Sequence, residues 1–181
     1  MTQTMAAIDA ATKARLNRGE VLVSTEPVAG SPQPRLVVQA VIEASPEAVW
    51  KHIDQSTRYQ EFMPRVKRSE ELSRVGTDIR TRMTIDMPFP LKNLTATSKA
   101  KHIVEPGVSY VRQWVLEEGD YHVNEGSWTL VPFDGNPQRA YALYRVHIIP
   151  KIPIPKMIQD AVQEKAMPGL IEAIRARVAG R

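Results

Sequence analysis

Two hydrophobic rhythms divide the chain. From Arg35 to Ile149 apolar and polar residues alternate in short runs, and beyond Pro155 apolar residues recur at every fourth place. Alternation marks strands with one buried face, whereas four-residue recurrence marks an amphipathic helix laid against an apolar surface. The alternation is clearest where Ile79, Thr81, Met83, Ile85 and Met87 interleave with Asp78, Arg80, Arg82, Thr84 and Asp86. Further strands are predicted over 66–72, 91–104, 109–117, 121–131 and 139–149. Turn signals separate them at Val75-Gly76, Pro88-Phe89-Pro90, Glu105-Pro106-Gly107, Glu118-Gly119-Asp120 and Asp134-Gly135-Asn136-Pro137. Connections this short favour antiparallel neighbours.

The strands are framed at both ends. An extended run, LVVQAVIE, leads to Ser45-Pro46, a good N-cap followed by a proline at the first helical position. Ala48, Val49 and Ile53 give that helix one apolar stripe, with Trp50 beside it. A second short helix over 54–59 ends before Phe62-Met63-Pro64. At the far end Ile158, Val162, Ala166, Leu170, Ile174 and Val178 form the long helical stripe, with Met157, Ala161 and Ile171 alongside. Pro168-Gly169 is expected to kink or divide that helix. Ahead of the frame, residues 5–18 predict a short alanine-rich helix anchored by Leu16, and Val21-Leu22-Val23 a short strand. The domain division that follows is an N-terminal arm over 1–34 and a main domain over 35–181. The fold class is α+β: a curved antiparallel sheet wrapped around a long C-terminal helix, with two short helices after the first strand. One helix on a strongly curved sheet leaves an apolar gap, the usual place of a small-molecule pocket.

Composition changes this picture little. The chain has 181 residues, 43% apolar and 24% charged, enough for one real core. It contains no cysteine, which excludes disulfides, thiolate metal sites and cysteine nucleophiles. The net charge of +4 is mild. It suits an ordinary basic surface or transient contact with an anionic membrane. Lys and Arg are scattered apart from Arg65, Lys67 and Arg68, and no nucleic-acid-binding motif accompanies them, so nucleic acid is not an expected partner. No run approaches the ~20 apolar residues of a membrane span. The first residues lack the pattern of a signal peptide, so the expected location is cytoplasmic, peripheral to a membrane at most, or periplasmic if a leader has been removed.

Three segments resemble the START-like helix-grip superfamily, most closely its polyketide cyclase/dehydrase and coenzyme Q-binding branch. The first is VVQAVIEASPEAVWKHIDQSTRYQEFMPRVKRSEEL, where Val49, Trp50, Asp54, Tyr59, Phe62, Pro64 and Val66 occupy the family's positions. The second is Gly126-Ser127-Trp128-Thr129-Leu130-Val131-Pro132, similar to a late-strand Gly-x-Trp pattern. The third is the final strand, Tyr144 to Pro150, running into the proline-flanked helix. The resemblance covers roughly 35–178 and implies a helix-grip fold that holds a hydrophobic molecule such as a lipid, a quinone or a polyketide intermediate. Its members include carriers, receptors and enzymes, so fold alone does not choose among them.

The candidate ligand-binding residues are Trp128, Tyr144, Trp114, Met83, Met87, Met157, Phe62 and Phe89. Methionine and aromatic side chains fit irregular apolar ligands, and they equally fill an ordinary core. Trp128 is preferred because nearby Gly126 permits close backbone approach. Phe62-Met63 and the Met87–Leu91 loop, apolar at chain reversals, are the expected entrance. The four histidines, His52, His102, His122 and His147, show no metal-binding spacing and are expected on the surface or in packing roles. Arg80, Arg82 and Arg112 are expected to face solvent, since a buried arginine needs an anionic partner. Asp54, Asp86, Glu125, Tyr144 and His147 are possible acids or bases, but they form no recognisable catalytic constellation. No cofactor or metal is implied. The expected function is non-catalytic binding or transfer of a hydrophobic small molecule. The alternatives are a cyclase or dehydratase, favoured if Arg112, Tyr144 or His147 meet inside the pocket, and an accessory protein with a filled core.

Overall fold

The computed structural model describes residues 7–181. The Met5-Ala6 start of the first predicted helix lies outside the described residues. What remains of it is α1 (Ala10–Asn17), whose Thr12 N–H donates to the Asp9 cap at 2.8 Å. Next come β1 (Leu22–Glu26) and β2 (Arg35–Ile42). Helix α2 (Pro46–Asp54) begins as predicted, with Ala48 N–H donating to Ser45 Oγ at 3.1 Å and Pro46 in the first turn. It buries Val49, Trp50 and Ile53 and passes into a 3₁₀ turn over Ser56–Glu61. Six strands follow: β3 (Val66–Val75), β4 (Asp78–Ile85), β5 (Leu94–Glu105), β6 (Ser109–Gly119), β7 (Tyr121–Phe133) and β8 (Asn136–Pro150). All eight strands form one antiparallel sheet in the order β1-β2-β8-β7-β6-β5-β4-β3. From β3 to β8 consecutive strands are joined directly, by short turns except for the 86–93 loop between β4 and β5, as the turn signals predict.

The sheet bends where its ladders slip. Register shifts occur twice between β3 and β4, once between β5 and β6 and twice between β7 and β8. Extra residues of this kind increase local twist and curl a sheet. At the β5–β6 slip Gly119 adopts φ 138°, and a Cβ there would lie 2.3 Å from the Thr95 carbonyl oxygen, so only glycine fits.

The closing helix is divided, as Pro168 predicts. It runs as α3 (Lys156–Ala161), a π turn (Val162–Ala166) and α4 (Met167–Val178). Pro168 has no N–H to return to the preceding turn, and just before it Met167 N–H reaches back five residues to the Val162 carbonyl. The four-residue stripe explains the geometry. On a regular α-helix such a stripe drifts about 40° per step. One wide turn takes up an extra residue and brings the stripe back to the sheet. Leu170, Ile171 and Ile174 are consequently buried against α2 and the sheet.

Apolar packing occurs on both sheet faces. The concave face carries the main core, including Val38, Ala40, Ile42, Trp128, Leu130 and Ala142 under α2 and α4. On the convex face Leu16 of α1 packs with Val41, Phe133 and Tyr141. No described helix is long and apolar enough to cross a membrane.

Candidate functional site

The concave face is not filled along its whole length. A cavity of about 760 Å³ lies between the sheet and the α3–α4 segment. Its inner limit follows from the register. Arg112, Trp128 and Tyr144 stand in one row across β6, β7 and β8 and border the cavity. The next row, Tyr110, Leu130 and Ala142, belongs to the packed core. From the boundary row the cavity extends toward the other end of the sheet, past Trp114, Met83 and Leu94. There it meets Met63, Met87 and the Ile152–Ile154 segment, with Ile158, Val162 and Ala166 supplying the helical wall. A second hollow of about 710 Å³, lined by Gln60, Lys67, Arg68 and Glu70 among others, has no comparable apolar wall.

Three aromatic rings form the floor. Tyr144 lies 4.5 Å from Trp128 and 5.9 Å from Trp114, centroid to centroid. Trp114 is Gly126's cross-strand partner, and a Cβ at Gly126 would fall 2.5 Å from the Trp114 ring. Missing bulk at Gly126 therefore lets Trp114 lie flat across β7, where its indole N–H donates to Asn124 Oδ1 at 3.1 Å. Burial pushes the Tyr144 phenol well above its usual pKa, so it stays neutral and able to donate.

The inner corner is polar. Arg112 is only 4% exposed, and its Nη1 donates to His102 Nε2 at 2.8 Å. His102 Nδ1 lies 3.2 Å from Asp54 Oδ1. Arginine is always cationic, so Nε2 must present its lone pair and Nδ1 carries the proton toward Asp54. Burial, reinforced by the Arg112 charge, holds the His102 pKa down at about 4, and Asp54 opposes the shift. Asp54 in turn accepts from Arg74 Nη1 at 2.8 Å, and Arg74 also grips Glu71 through two hydrogen bonds of 2.8 and 2.9 Å. Tyr59 borders the same corner, donates its hydroxyl to the Ile53 carbonyl, and has the Arg112 guanidinium 5.9 Å from its ring centre. On the outer β3 wall the Ser69 hydroxyl is buried without a partner among the described residues.

A polyketide cyclase/dehydrase and lipid transport family model matches residues 42–175. The chain belongs to that family. It is similar in structure to a STAR-related lipid transfer protein fragment from Xanthomonas axonopodis, at 20% identity and a TM-score of 0.74, covering 88% of this chain and 93% of that one. Human StAR-related lipid transfer protein 5 superposes with a TM-score of 0.77 at 13% identity, covering 90% and 83%. The Zhui aromatase/cyclase from Streptomyces superposes with a TM-score of 0.63 at 15% identity, covering 81% and 94%. These likenesses show a START-type helix-grip fold. No curated protein matches the sequence.

Family membership leaves the individual residues to geometry. Trp128, Tyr144, Trp114, Met83 and Met87 border the cavity. Three other candidates do not. Met157 sits one position off the inward stripe and is 78% exposed. Phe62 packs edge-on to Tyr59 and His52, with Arg177 over its ring, while its neighbour Met63 takes the cavity side. Phe89 projects outward and is 96% exposed. Gly126 provides close approach for Trp114, not for Trp128.

Arg112, expected in solvent, is buried; Arg80 is exposed and pairs with Glu117, as expected of a surface arginine. His147 faces the convex side, beneath the 27–34 connector, with Nε2 2.9 Å from Ser31 Oγ and 3.1 Å from the Gln33 carbonyl. Glu125 lies on that same side, its carboxylate 3.6 Å from His147. Neither can therefore join Arg112 and Tyr144. The histidine that does reach Arg112 is His102. Its pairing was available in the sequence: the Glu105-Pro106-Gly107 turn sets Glu105 against Ser109, and counting outward sets His102 against Arg112.

Proposed function

We propose that this protein binds and carries a hydrophobic small molecule in the cavity between sheet and C-terminal helix, without chemical conversion. The observation that carries this reading is the cavity of about 760 Å³ walled by Trp114, Trp128, Tyr144, Met83 and Ile158. That volume falls within the few hundred to about 1,000 Å³ typical of small-molecule sites. Burying apolar surface at about 25 cal/mol per Å² gives useful affinity with few polar contacts. A lipid, a quinone or a polyketide-like aromatic suits such a wall, and a filled-core accessory role does not account for the space. Beside the cavity, Phe89 and Met157 project outward among exposed Lys92, Lys151 and Lys156. This arrangement favours transient contact with an anionic membrane during loading.

The test is native mass spectrometry of gently purified protein, followed by titration of the emptied protein with diphenylhexatriene. A retained mass and saturable one-to-one binding are expected, with Met83→Gln weakening the probe about tenfold. Absence of both retained mass and saturable binding overturns the proposal. A ring-closing cyclase is the second reading, because Arg112 and Tyr144 border one cavity. It requires turnover of a poly-β-ketone thioester that Tyr144→Phe abolishes.

A further inference from the structure

Arg112 has a place in the cavity but no counter-ion there. Its position on β6 is fixed by Cα pairing to His102 on one side and Trp128 on the other. The residue is buried and borders the cavity at its inner row. A guanidinium offers five N–H donors in a rigid fork. Among the described residues, one hydrogen bond of that fork is accounted for, to His102 Nε2.

The two carboxylates of the neighbourhood are engaged elsewhere. Asp54 and Glu71 both bind Arg74, at 2.8 Å each. Asp54 reaches Arg112 only through the neutral His102 ring, and no carboxylate of the described residues lies within ion-pair distance of Arg112. The other near contact of the guanidinium is the face of Tyr59, 5.9 Å away. A buried cation without a direct anionic partner is costly unless an anion arrives. The Asp54–His102 pair holds the fork in one orientation, so an incoming group meets a prepared donor set rather than a mobile side chain.

We propose that the occupant of this cavity is an amphiphile with a single carboxylate head, bound by Arg112 at the inner row, its apolar body running over Trp128, Tyr144 and Trp114 toward Met83 and Met87. This inference rests on the hydrophobic-carrier reading and names the class of its ligand. One arginine matches one monoanion in bidentate geometry. The other arginines on the wall, Arg65 before β3 and Arg82 on β4, are both exposed, and no lysine borders the cavity, so the inner row lacks the several cations a phosphate dianion requires.

The experiment compares cis-parinaric acid with its methyl ester, which share a fluorescent chain and differ only in head charge. On the full-length wild-type protein the acid is expected to bind at least about tenfold more tightly than the ester, the usual gain of a charge-assisted hydrogen bond. Arg112→Gln is expected to abolish that preference, and Arg112→Lys to restore part of it. Equal binding of acid and ester to the wild type overturns the inference and leaves the carrier reading standing. This comparison needs no variant, so it decides the matter even if Arg112→Gln fails to fold. Preference for the acid that survives Arg112→Gln in a folded variant also overturns it. Binding of neither compound overturns both readings. An alkyl phosphate of matched length that outcompetes the acid overturns the carboxylate assignment.

Discussion

His102 shows how much one side chain can depend on its setting. In the sequence it is one histidine among four without metal spacing; in the fold it joins Asp54 to Arg112. Its pKa of about 4 in the folded protein lies below the value of 6.5 for a free histidine. As pH falls between those values the unfolded chain takes up a proton that the folded chain refuses. His102 therefore contributes stability that is fully present above about pH 6.5 and is lost as pH falls toward about 4. Urea midpoints measured across that interval are expected to decline with acidification, and less steeply in His102→Gln. An unchanged slope in that variant would show that His102 is not the group protonated. Neither the burial of Arg112 nor the tautomer of His102 can be read from composition, since both require knowing which strand faces are opposed. Strand parity supplies half of that information: Arg112 and Trp114 share a face of β6, as Tyr144 and Val146 share one of β8, while His147 takes the other. Which face is concave becomes clear only when the helices are placed.

At the scale of elements, the boundaries are close to those predicted because local chemistry sets them. Ser45-Pro46 starts α2 and the glycine and proline turns end the strands. The π turn was less legible. A four-residue stripe resembles any amphipathic helix, and the need for a wide turn emerges only when the stripe must keep facing a sheet over five repeats, from Ile158 to Val178. Pro168→Ala returns an N–H to the backbone and allows a regular α-helix through the 162–166 segment. That change would rotate Ile158 and Val162 relative to Leu170. The expected result is a several-fold loss of diphenylhexatriene affinity with an unchanged or higher melting temperature, since alanine is the better helix former. Unchanged affinity would mean that the α3 wall tolerates the rotation. The bulged β3–β4 pairing was likewise invisible in the alternation, which continues through a slipped register while the facing residue changes.

At the scale of the whole molecule, stability and occupancy have separate seats. Leu16 of α1 is fully buried on the convex face, across the sheet from the cavity. Truncating a buried leucine to alanine costs about 2–5 kcal/mol. Leu16→Ala is therefore expected to lower the unfolding free energy by that order in chemical denaturation, with ligand affinity unchanged in the protein that remains folded. A parallel loss of affinity would show that the two faces are coupled through the sheet. The cavity itself has one packed end, at the Tyr110, Leu130 and Ala142 row, and one end bordered by loop and helix-entry residues. Such a space behaves as a blind alley. An elongated guest too long to turn round inside it leaves in reverse order, its trailing end first. Donor and acceptor would then meet the same end of the guest, and its leading end would stay screened from water throughout the journey.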